Sequence, residues 1–157
     1  MANLVFVCWG NICRSPMAER VARRLVAERG LGLAVESFAI SGEEVGNPID
    51  RRAVRTLTAR GYDAAGHRAR QVSAADLTAA DLVVAVEPFQ VDRLLAMAPT
   101  ANVALLNDFN PLLPKGEPLI DPWYGDQAGF EDTLDDVEAA MDNILAAVPI
   151  GRDGLTS

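Results

Sequence analysis

The chain has 157 residues, half of them hydrophobic, and a formal net charge of −8. That length and apolar content suit one domain with a substantial core, and the acidic balance argues against nucleic acid or an anionic membrane as a general partner. Two cysteines, Cys8 and Cys13, give no disulfide framework.

Met1-Ala2-Asn3 runs straight into Leu4-Val5-Phe6-Val7, a run that reads as a buried parallel strand. With no charged-then-apolar leader and no long apolar span, a cytoplasmic protein is the expectation. The segment from Cys8 to Ser15 is a loop, and Ser15-Pro16 reads as a helix start, the serine capping free amides and the proline fitting the first turn. A helix over 16–29 carries Met17, Val21 and Leu25 on one face and ends at Gly30-Leu31-Gly32. A short strand spans Leu33 to Ser37, and Ser41 to Asp50 is a loop rich in turn formers. A helix over 50–60 closes at Gly61. Leu82 to Val86 is a buried strand, followed by a helix over 88–97 that Pro88 initiates, and Val103 to Leu106 is a fourth strand. In the last helix Phe130, Leu134, Val137, Met141, Ile144 and Val148 recur at spacings of four and three. Its opposite face, with Glu131, Asp132, Asp135, Asp136, Glu138 and Asp142, reads as a solvated surface whose first acids suit the helix dipole. Strands alternating with helices predict an α/β fold: a four-stranded parallel sheet flanked by helices in three layers, with a loop after strand 1 where a ligand binds. One domain over 1–150 and a frayed tail over 151–157 follow.

The octet Cys8-Trp9-Gly10-Asn11-Ile12-Cys13-Arg14-Ser15 sets a thiol and a guanidinium six positions apart at a strand-to-helix junction. There the backbone can wrap with several N–H groups inward, adding to the positive end of the helix dipole, and so hold a phosphate. A thiol in that field is favoured as its nucleophilic thiolate. The planar fork of Arg14 suits two phosphate oxygens. Asn11 tolerates the left-handed region, Gly10 relaxes the turn, and the Ser15 hydroxyl can donate to the sulfur. Far downstream, Asp121-Pro122-Trp123-Tyr124-Gly125 offers a carboxylic acid on a stiff turn, able to protonate a departing oxygen, and two aromatic faces for a substrate ring. His67 is the only histidine, which excludes multi-histidine metal sites; no metal and no cofactor are expected.

The string Val7 to Pro16 resembles the signature of the low-molecular-weight protein tyrosine phosphatases, and the Asp121 to Gly125 loop resembles that family's acid loop. The resemblance extends over roughly residues 3 to 148. It implies hydrolysis of phosphotyrosine through a phosphocysteine, with Cys8 as nucleophile, Arg14 as phosphate clamp and Asp121 as general acid. Trp9, Gly10, Asn11, Ile12, Cys13 and Ser15 would complete the phosphate loop. It further implies that Ser37 hydrogen-bonds Asn11, that His67 supports Glu19 and Ser15 behind the loop, and that Trp123, Tyr124 and Glu43 wall the pocket. Glu43 stands where many members have an aromatic residue, and Glu87 where Asp is common. Partners would be phosphotyrosine-containing proteins, with inorganic phosphate as product and the enzyme a monomer or weak dimer. Cys13 is read either as a disulfide partner shielding Cys8 or as a thiol packed under the loop. Three other readings stand beside this one. An arsenate reductase of the thioredoxin-coupled type would need cysteines after Cys13, and there are none; one relying on a small-molecule thiol escapes that objection, but the Asp121 to Gly125 loop favours the phosphatase. A phosphoarginine phosphatase tends to have Thr at the Ile12 position. A phosphate-binding module without turnover would have no use for a leaving-group acid.

Overall fold

A computed structural model describes residues 1–149 of the chain; the tail expected over 151–157 lies outside the described residues. Four strands, β1 (Ala2–Cys8), β2 (Leu33–Ala39), β3 (Leu82–Ala85) and β4 (Val103–Leu105), form one sheet in the order β2-β1-β3-β4. Every pairing is parallel, with Cys8 opposite Ala39 and Val7 opposite Ala85. The helices are α1 (Arg14–Arg29), α2 (Arg51–Ala59), α3 (Ala74–Ala79), α4 (Pro88–Met97) and α5 (Gln127–Ala147).

Alternation along β1 sorts its side chains between two cores. Leu4, Phe6 and Cys8 join the apolar cluster with Met17 and Val21 of α1, Leu57 of α2, and Leu134 and Met141 of α5. Val5 and Val7 face the opposite cluster with Leu77 of α3 and Leu94 of α4. A strand buried on both faces is a near-continuous apolar run, as Leu4 to Val7 is. Burying a side chain the size of Phe6 or Leu4 contributes about 1.5–3 kcal/mol, so β1 is the sheet's fixed axis. Because β1 connects to β2 on one side and pairs with β3 on the other, its carboxyl end lies at a switch in strand order. Parallel sheets bind ligands there, and Cys8 is the last residue of that strand.

Several boundaries differ from the sequence expectation. Helix α1 begins at Arg14 with Cys13 at its N-cap and no side-chain cap; Ser15 lies inside the first turn, its hydroxyl turned to Cys8 instead. Its other end is as expected, with Gly30 left-handed at φ 63° and donating to the carbonyls of Ala27 and Val26. β2 runs two residues further, to Ala39, because Phe38 and Ala39 still pair with Val7 and Cys8 of β1. β4 stops at Leu105, and Leu106 opens a 3-10 turn over Leu106–Phe109. Helix α3 was not expected; Ser73 and Asp76 close a reciprocal capping box at its start. Asp50 is the cap of α2, accepting from Arg52 N, and not its first residue.

Helix α5 has no acid in its first turn, and Asp126 caps it by accepting from Gly129 N. Nor is its acidic face simply solvated. Arg60, at the C-cap of α2, pairs with Glu131 at 3.1 Å, Asp135 at 2.9 Å and Glu138 at 2.5 Å, and the Tyr62 hydroxyl donates to Glu138. Half of that face therefore docks α5 on α2. Among the described residues no helix is long and apolar enough to cross a membrane.

Candidate active site

The loop from Cys8 to Arg14 closes around its own first side chain. Asn11 N donates to Cys8 Sγ at 3.2 Å, and Ser15 Oγ lies 3.0 Å from the same sulfur. Asn11 makes the turn possible: its φ is +60°, the one left-handed non-glycine residue among those described. It is fully buried, and every polar group it has is used. Its Nδ2 donates to Ser15 Oγ at 2.8 Å and Ser37 Oγ at 3.0 Å, its Oδ1 accepts from Arg70 N at 3.2 Å, and its carbonyl accepts from His67 Nε2 at 2.7 Å. Loop and β2 are thus joined through Asn11 and Ser37, as the resemblance implied.

His67 differs from expectation in its partner. It bonds the Asn11 carbonyl and not Glu19 or Ser15. A carbonyl can only accept, so the imidazole holds its proton on Nε2. Burial lowers the His67 pKa below its ordinary value, against the pull of the Asn11 bond, which favours the charged form. Glu19, itself buried, instead accepts from the Ser37 hydroxyl and pairs with Arg23 at 3.0 Å and Arg20 at 3.4 Å.

Arg14 is 4 % exposed, so its guanidinium needs fixed partners. Nη1 donates to the Leu119 carbonyl at 2.7 Å and lies 3.3 Å from Glu87 Oε1, while Nη2 is 3.6 Å from Asp121 Oδ2. Glu87 therefore occupies the place behind Arg14 where the sequence departs from the common Asp. Leu119 is an unforeseen participant, since a carbonyl leaves no mark in sequence. Asp121 Oδ1 accepts from Trp123 N at 3.0 Å and caps the 3-10 turn Pro122–Tyr124, fixing the carboxylate at the mouth of the site.

Cys8, Trp9, Gly10, Asn11, Ile12, Cys13, Arg14, Glu43, Asp121, Trp123 and Tyr124 line one cavity of about 250 Å³, and Glu44 joins them. All the expected loop and wall residues except Ser15 meet there; Ser15, Ser37, His67 and Glu19 lie behind it. Tyr124 is 90 % exposed and stands at the rim, with Trp123 less open. Trp9 packs beside Phe89 with ring centroids 6.3 Å apart. Glu44 was missed, though it adjoins Glu43; its carboxylate accepts from Asn47 Nδ2 at 2.6 Å. Arg52 was missed as well. Its Nη1 donates to the carbonyls of Trp123 at 3.1 Å and Gly125 at 3.4 Å, and its guanidinium lies over the rings of Trp123 and Phe130. It ties the Asp121 loop to α2, across 71 residues of sequence.

Cys13 is buried in the core beneath the loop, and both cysteines are free thiols. Burial, then the nearby Asp50 and Cys8, push the Cys13 thiol far up, so it stays protonated. Among the described residues no three His, Cys, Asp or Glu side chains converge as a metal site would require.

A family profile described as "Low molecular weight phosphotyrosine protein phosphatase" matches residues 3–152. A low molecular weight protein-tyrosine-phosphatase of Streptomyces coelicolor is 43% identical over 153 residues, covering 93% of each chain. The human low molecular weight phosphotyrosine protein phosphatase is 35% identical over 82% of this chain and 84% of its own length. Among solved structures, YfkJ from Bacillus subtilis superposes with a TM-score of 0.86 at 33% identity, over 94% of both chains.

Proposed function

Since this chain belongs to the low molecular weight phosphotyrosine protein phosphatase family and is thus a protein tyrosine phosphatase, we propose that Cys8, Arg14 and Asp121 carry its reaction. The observation behind this assignment is that sulfur, guanidinium and carboxyl line one cavity of about 250 Å³, with an amide and a hydroxyl already aimed at the sulfur. A phosphotyrosine dianion enters with its phosphate in the loop's amides and exchanges part of Arg14's contact with Asp121 for its own oxygens. The Cys8 thiolate attacks in line: an S–P bond forms as the P–O bond breaks, and Asp121 gives its proton to the departing phenolic oxygen. Water then attacks phosphorus, Asp121 takes its proton, the S–P bond breaks and inorganic phosphate leaves. The Ser15 hydroxyl stabilises the sulfur anion at the start and end of that cycle. Fixed donors around the equatorial oxygens supply the largest share of the acceleration.

Asn11, Ser37, Glu19 and His67 act through the loop by holding its shape. Trp123 and Tyr124 pack on the tyrosyl ring, while Trp9, Gly10, Ile12 and Cys13 complete the phosphate loop and Glu43 forms the far wall. The substrates are phosphotyrosine-containing proteins, met in the cytoplasm by a monomer or weak dimer of one domain over 1–150. The −8 net charge weighs against nucleic acid and anionic membranes. Steady-state hydrolysis of p-nitrophenyl phosphate beside phosphotyrosine, phosphoserine and phosphoarginine substrates, with arsenate reduction in parallel, tests the reading. Cleavage of aryl phosphates alone, blocked by vanadate and abolished in Cys8→Ser, is expected. Turnover by Cys8→Ser, or a preference for phosphoarginine or arsenate, would overturn it.

A further inference from the structure

The first turn and a half of α2 contradicts the local rules of helix stability. Arg51, Arg52 and Arg55 occupy it, and it holds no acid. The N-terminal end of a helix is the positive end of its dipole, where cations are disfavoured, and Arg51 and Arg55 stand at i, i+4, where like charges repel. Arg52 is accounted for, paired with Asp50 at 3.1 Å and bonded to the Asp121 loop. Arg51 and Arg55 are not: both are exposed, and neither side chain has a hydrogen bond or ion pair among the described residues. Sequences that break local rules without a structural return tend to do so for function.

Their position says which. Arg51, Arg52 and Arg55 line a shallow groove with Asn47, Pro48, Ile49 and Asp50, whose carboxylate is already taken up by Arg52. That groove shares Ile12 and Glu44 with the catalytic cavity, so the two adjoin at those side chains. The amides of α2 are not what it offers, because Asp50 already caps them. Glu44, at the junction, is engaged by Asn47. What remains free is a pair of guanidinium groups beside the site.

Resting on the phosphatase reading above, we propose that Arg51 and Arg55 form a subsite for carboxylate side chains flanking the phosphotyrosine of the protein substrate. An extended peptide whose phosphotyrosine fills the cavity lays its neighbouring residues along this groove, where an Asp or Glu relieves the repulsion between the two arginines. The subsite selects acidic-flanked phosphotyrosines within a protein whose overall charge repels them.

The test compares three phosphotyrosyl peptides, with Glu, Ala or a second phosphotyrosine at the flanking positions, and p-nitrophenyl phosphate, on the wild-type chain and Arg51→Gln/Arg55→Gln. Exposed ion pairs are individually weak, so at low salt the Glu peptide should exceed the Ala peptide in kcat/KM by about three- to tenfold, through KM. That advantage should vanish in the double variant and at high salt, with p-nitrophenyl phosphate turnover unchanged and thermal stability equal or slightly raised. Equal cleavage of Glu and Ala peptides by the wild type, or an advantage that survives in the variant, would overturn the proposal. So would an advantage confined to the doubly phosphorylated peptide, since that assigns the groove to phosphate and not carboxylate. If the wild type failed to cleave p-nitrophenyl phosphate at all, the phosphatase reading would be the one to fall.

Discussion

Replacing Asn11 by glycine and by alanine separates two things that residue does. Its side chain makes three hydrogen bonds, to Ser15 Oγ, Ser37 Oγ and Arg70 N, inside a fully buried environment. Each buried bond is worth about 1 kcal/mol net, so both substitutions should cost about 3 kcal/mol. Alanine must also adopt the left-handed φ of +60°, a further cost of about 1–2 kcal/mol that glycine escapes. Glycine loses about 0.4–1 kcal/mol of that advantage through its freer unfolded chain. Asn11→Ala should therefore lie below Asn11→Gly by about 1 kcal/mol, which for a domain of this size is a Tm difference of about 2–4 °C. With these added costs the total is about 3.5–4 kcal/mol for glycine and about 4–5 kcal/mol for alanine, so by the same conversion they should melt about 7–16 °C and about 8–20 °C below wild type. Calorimetry or urea unfolding of the three proteins reads this directly. Equal stabilities for the two variants, or alanine the more stable, would refute the claim that a strained turn at Asn11 shapes the loop.

Other predictions are shorter. Asp121→Asn should slow phenyl phosphate far more than p-nitrophenyl phosphate, because a poor leaving group needs the proton most; equal slowing would remove Asp121 from the acid role. Arg52→Met should steepen the same leaving-group dependence more mildly, by about fivefold, since it frees the Asp121 loop from bonds worth about 1 kcal/mol; an unchanged ratio would mean the tether is idle. Because burial lowers the His67 pKa from its ordinary 6.5, the unfolded chain takes up a proton first as pH falls. His67's contribution to stability is thus complete above about pH 6.5 and is lost as pH falls below it. In His67→Gln the urea midpoint should fall less between pH 7 and 5 than in wild type, and parallel profiles would contradict this.

What could be read in the sequence and what could not divide on physical lines. β1, its loop and α1 were legible because an apolar run, a Cys-to-Arg spacing and a 3.6 period are all local patterns. The meeting of Cys8, Arg14 and Asp121 came from the family resemblance. Helix α3 escaped because six residues with one buried leucine carry no periodicity, although Ser73 and Asp76 spell a capping box. Ser15 has the sequence of a cap for α1, but its hydroxyl serves the sulfur instead. Arg52 and Leu119 were illegible, since their roles depend on segments distant in sequence. The acidic face of α5 looked solvated only because Arg60, on another helix, could not be placed against it.

The central claim is that the Cys8 sulfur takes the phosphoryl group. Denaturing quench of Asp121→Asn within one turnover of p-nitrophenyl phosphate, followed by peptide mass spectrometry, tests it most directly. One phosphate on the sulfur of Cys8, absent in a Cys8→Ser/Asp121→Asn control, is the expected result. A phosphate found on Ser15 or Cys13, or product released with no labelled enzyme at any time, would contradict it.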